Sequence, residues 1–67
     1  MNFEEFEKKI EEKGFGVVAM NHYTLKGKRH LFCVILNTAK GTAFRAESET
    51  SNEVFEILYT KLLNSED

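Results

Sequence analysis

The chain has 67 residues, 42% of them hydrophobic and 30% charged, with a formal net charge of −2. That length predicts one domain over 1–67, with a marginal core, because so short a chain buries only about 60% of its unfolded surface. A single cysteine, Cys33, excludes an internal disulfide framework and fits a reducing compartment. The longest apolar run, Leu31–Leu36, falls far short of the ~20 residues that cross a bilayer. The opening Met-Asn-Phe-Glu-Glu shows no basic-then-apolar leader, so the expectation is a soluble cytoplasmic protein with no membrane association.

Charge is segregated along the chain. Between Gly14 and Ala46 there is no carboxylate, only Lys26, Lys28, Arg29, Lys40 and Arg45. All 11 acidic residues lie in 1–13 and 47–67, giving blocks of −2, +5 and −5.

Residues 2–13 read as a helix. Asn2 and Glu5 have capping-box spacing, and Phe3, Phe6 and Ile10 line one face. Glu4–Lys8 and Glu5–Lys9 are ordered for i,i+4 pairing, and Lys13-Gly14 ends the helix in a left-handed cap. The period then becomes two: Phe15, Val17 and Ala19 are expected on one face, with Val18 and Met20 on the other. A turn follows around Lys26-Gly27-Lys28. The segment from His30 to Asn37 is apolar at nearly every position, which suits a central strand. Thr38-Ala39-Lys40-Gly41 reads as a hairpin loop with Gly41 left-handed. The third strand alternates Thr42, Phe44, Ala46 against Ala43, Arg45, Glu47. Thr50 and Glu53 form a second capping box ahead of a stripe of Val54, Phe55, Ile57, Leu58, Leu62 and Leu63. Asn64 to Asp67 reads as a frayed end. The predicted fold is α+β, ordered α-β-β-β-α, a three-stranded antiparallel meander with two helices packed on one face.

Catalytic chemistry finds no purchase. Cys33 lies in the most apolar strand, where burial suppresses a thiolate. No Gly-x-Ser-x-Gly turn or phosphate-binding glycine loop exists, so no enzymatic activity is expected. His22, His30 and Cys33 lack the spacing of a metal site: residues 30 and 33 point to opposite faces of a regular strand. Neither metal nor cofactor is expected.

Two charged constellations remain. The basic set Lys26, Lys28, Arg29 and His30, with Arg45, could contact phosphates, with Tyr23 and Phe44 stacking if they face outward. The element order resembles the double-stranded-RNA-binding domain, in which a first-hairpin loop, here His22 or the basic turn, enters a minor groove. That family's second helix opens with lysines, whereas this one opens Ser51-Asn52-Glu53. The plainer reading is that these cations solubilise a turn and guard the apolar strand from edge pairing. The acidic set is Glu47, Glu49, Glu53 and Glu56. Charge at a helix N-terminus accounts for part of it. Glu47 and Glu49, expected on one face of the third strand, suggest a surface imitating a phosphate backbone.

A helix opening Met1-Asn2, a hairpin with Asn37 to Gly41, and Arg45-Ala46-Glu47-Ser48-Glu49 leading through Asn52-Glu53 into an apolar helix ending near Asn64 resemble the small phage-encoded anti-CRISPR inhibitors of type II-A Cas9. The resemblance implies a DNA mimic that blocks the protospacer-adjacent-motif site. It implies mimic carboxylates at Glu47, Glu49 and Glu53, and a loop contact from Asn37 and Lys40-Gly41. The expected function is a non-catalytic phage or mobile-element protein that inhibits a host protein with a basic nucleic-acid-binding cleft, Cas9 in that family. The alternatives are a nucleic-acid-binding module using the basic hairpin, and a homodimeric adaptor. In the adaptor, a second copy would cover whichever apolar row of the central strand the helices leave open.

Overall fold

The computed structural model describes residues 1–65. Its elements are α1 (Phe3–Glu11), β1 (Gly16–Leu25), β2 (Lys28–Asn37), β3 (Thr42–Ser48) and α2 (Ser51–Asn64). The strands form one antiparallel sheet in the order β1-β2-β3. Residues 66 and 67, the tip of the expected frayed end, lie outside the described residues. Among the described residues no helix is long and apolar enough to cross a membrane.

Both helix starts follow the capping chemistry. The Asn2 side chain accepts from the Glu5 amide at 2.8 Å, and the Thr50 hydroxyl from the Glu53 amide at 3.3 Å. α1 ends in a Schellman pair: the Gly14 amide donates to the Glu11 carbonyl (3.0 Å) and the Phe15 amide to the Ile10 carbonyl (2.9 Å). Gly14 sits at φ +86°, as that motif requires. Neither Glu4–Lys8 nor Glu5–Lys9 closes to ion-pair distance among the described residues. Lys9 instead lies 5.5 Å from the Tyr59 ring centroid, tying α1 to α2.

The turns also follow their residues. Lys26 (φ +52°) and Gly27 (φ +78°) make a two-residue loop with both dihedrals positive, the type I′ geometry that matches strand twist. Gly41 (φ +68°) closes the second loop, its amide on the Asn37 carbonyl at 2.8 Å.

β1 departs from the expected alternation. Val17 pairs with Ile35 and Ala19 with Val34, so a bulge at Val18 shifts the phase by one. Phe15 and Val17 share one face as expected, and it is the core face. Beyond the bulge, Met20 pairs with buried Cys33 on the helix side, and Ala19 turns to the open face.

The helices cover one face of β2. Leu31, Cys33, Ile35 and Asn37 are buried, while Phe32, Val34 and Leu36 between them are half-buried. Phe6, Ile10, Val54, Phe55, Leu58 and Leu62 complete the core from the helices. The Phe6 and Phe55 rings stack at 4.7 Å. Ile57 and Leu63 were expected on the buried stripe of α2 but are 38% and 42% exposed. They lie at the margins of an apolar arc wider than the sheet can cover.

Candidate functional site

The register sorts the singled-out side chains into three places. On the open face, Tyr23 lies opposite His30, and Asn21, Phe32 and Glu47 share the next row. The Tyr23 ring stacks on His30 at 5.2 Å and 13°. Its hydroxyl reaches across to donate to Glu47 Oε2 at 2.6 Å. The bond to Glu47, more than desolvation or charge, raises the phenol above its ordinary value of 10.0, because the neutral phenol is the donor the carboxylate wants. Phe44 does not join this face. It pairs with Ile35 on the helix side and stacks on Phe15 at 5.8 Å, so it offers no stacking platform.

The second place is the β3–α2 junction. Glu49 falls after the strand, which ends at Ser48, so it does not share a strand face with Glu47. It lies 3.5 Å from Lys28 in an exposed pair, a contact worth little energetically but one that couples the basic hairpin to the acidic junction. The Ser48 hydroxyl donates to the Glu53 carboxylate. Glu56 is exposed one turn further along α2, with no polar partner among the described residues. Lys61 Nζ donates to the Arg45 carbonyl at 2.7 Å. A shallow cleft of about 450 Å³ lies beside it, lined by Phe32, Arg45, Ala46, Glu47, Ile57 and Lys61. A second depression, lined by Glu53, Glu56, Ile57, Thr60 and Lys61, continues along α2.

The third place is the β2–β3 loop, at the far end of β2 from the basic hairpin. Nine residue steps separate Lys28 from Asn37, roughly 30 Å of strand. Asn37 is 4% exposed. Its Oδ1 accepts from the Ala39 and Lys40 amides at 3.1 Å each, and its Nδ2 donates to the Lys13 carbonyl at 3.5 Å. A side chain so engaged holds the loop on α1 and leaves a partner little to contact. Exposed Lys40 is distant from the four carboxylates, so Asn37 and Lys40 do not form one surface with Glu47, Glu49, Glu53 and Glu56. The basic set is dispersed as well. Lys26, Lys28 and Arg29 are exposed at the first hairpin, His30 is half-buried beneath Tyr23, and Arg45 sits halfway along edge strand β3, beside Val34.

His30 and Cys33 face opposite sides of β2, as their odd spacing requires. No group of three or more potential metal ligands exists among the described residues. Burial pushes the Cys33 thiol up from its ordinary value, which favours the unreactive protonated form. Tyr23–Glu47 and Lys61–Arg45 were not visible in the sequence. The first depends on the bulge that turns Tyr23 outward, and the second on how α2 lies along β3.

Compared with family models, with curated proteins and with solved structures, the chain matches none.

Proposed function

We propose that this is a non-catalytic binding protein that inhibits a host partner by setting the carboxylates of the β3–α2 junction against a basic surface that ordinarily holds nucleic acid. The observation that carries the reading is the run from Ala46 to Thr60. It contains Glu47, Glu49, Glu53 and Glu56, all exposed, and no cation. In the first turns of α2 the helix dipole tolerates this density. The Glu53 carboxylate is oriented by Ser48, whereas Glu56 is open to a partner. The resemblance to inhibitors of type II-A Cas9 supplies the nuclease to try first.

The experiment follows cleavage of a guide-matched duplex by Cas9 with the protein added. The wild type is expected to reduce cleavage, and Glu53→Lys with Glu56→Lys to restore it while the far-ultraviolet circular dichroism stays unchanged. A wild type without effect removes that nuclease as the partner. Inhibition that survives the charge reversal removes the acidic surface. The basic hairpin supports a second reading, duplex binding through Lys26, Lys28 and Arg29, whose ammonium and guanidinium groups are exposed at the first hairpin. It predicts gel retardation of duplex RNA that fades steeply with salt. No retardation at low salt overturns it.

A further inference from the structure

β1 and β3 form the two edges of the sheet, and they are finished differently. On β3 the Lys61 ammonium occupies the Arg45 carbonyl, α2 packs against the strand, and charged Arg45 and Glu47 flank it. These are the devices by which an edge is closed to further pairing. β1 has none of them over most of its length. From Gly16 to Leu25 it carries no Lys, Arg, Asp or Glu and no proline, and eight of its ten residues are exposed. Its bulge is confined to the start, which leaves Ala19 to Leu25 in unbroken register with β2. Two large apolar side chains of that stretch, Met20 and Leu25, are 42% and 53% exposed.

We propose that the free edge of β1 pairs, antiparallel, with β1 of a second copy of this chain, joining two sheets into one. Charge selects this occupant. A two-fold axis lays the segment against its own reverse, so a charged side chain near the axis would meet its like, and this segment has none. The other edge then sets the stoichiometry. Because β3 is stoppered by Lys61, association closes at two copies rather than growing head to tail into a filament.

With the axis at His22, every residue from 19 to 25 finds a partner. Met20 faces Thr24 of the other copy on the helix side. On the open side Ala19 faces Leu25 and Asn21 faces Tyr23. The two-residue period preserves these faces across the junction, so Met20 and Leu25 both lose water on pairing.

Sedimentation velocity over a micromolar-to-millimolar series tests this. The wild type is expected to shift from the monomer to twice its mass, with amide exchange in 19–25 slowing as concentration rises. His22→Lys sets two ammonium groups across the axis at an exposed position, and it is expected to weaken the dimer by about fivefold without altering the monomer's circular dichroism. Val34→Glu, on the open face, is expected to leave the dimer intact. A wild type monomeric throughout the series overturns the proposal. So does a dimer abolished by Val34→Glu but untouched by His22→Lys, which would place the contact on the open face, and so does assembly that continues past two copies.

Discussion

The two faces of β2 carry equally apolar side chains and have different fates. Leu31, Cys33 and Ile35 lie under the helices and are almost fully buried, whereas Phe32, Val34 and Leu36, one residue away in each case, are only half-buried. Alternation along one strand therefore does not tell the core row from the other. The decision is made from outside the strand, by the helix side chains that have nowhere else to pack. Phe6, Ile10, Phe55 and Leu58 share one buried cluster with the odd-numbered row. Hydrophobicity is thus a measure of what could be buried, and topology decides what is.

Substitutions along this one strand break the comparison most directly. Ile35→Ala, on the covered face, is expected to cost about 3 kcal/mol in urea unfolding, a large share of the stability of so small a domain. Val34→Ala, on the open face, should cost less than about 1 kcal/mol in the same assay. Equal costs would mean that the open row is covered in solution. Asn37 ends the covered row with a polar group and sharpens the contrast. Asn37→Ala removes the acceptor of two loop amides and is expected to cost about 2 kcal/mol. Gly14→Ala would disturb the same contact, since an added Cβ would stand 3.0 Å from Asn37 Nδ2 at a positive φ.

Thr50→Ala tests whether α2, the larger lid, is held by its cap as well as by its packing. The expected loss is about 1 kcal/mol by thermal unfolding. The smallest effect belongs to the open face. Glu47→Gln should lower the Tyr23 phenol toward its ordinary value, read by tyrosinate absorbance. A phenol raised in the folded state favours folding below the unfolded value and loses that contribution as pH rises through the folded one. The wild type should therefore lose slightly more stability than Glu47→Gln above about pH 10.

The architecture was legible because its punctuation is local. Asn2, Gly14, Gly27, Gly41 and Thr50 each act within a few residues of themselves, and the turns and caps that they make fix where five elements start and stop. The candidate site was legible in composition but not in geometry. Glu47 and Glu49 look adjacent by parity, yet the strand ends between them and they turn to Tyr23 and Lys28. Val18 is an ordinary strand residue by type, so nothing local announces the bulge that reverses the facing of Met20 and Tyr23. Asn37 reads as a loop polar group until the C-terminus of α1 is seen lying against it. In each case the missing information is a contact between residues distant in the chain, which neither period nor propensity encodes.

Cys33 gives the molecule an internal clock. Its sulfur is fully enclosed at the middle of the central strand, and burial holds it as the protonated thiol. A thiol reagent can reach it only when the helices lift or the sheet parts. With one cysteine in the chain, reagent concentrated enough to outpace reclosing makes the rate of labelling the rate of opening, with no engineered probe and no competing site.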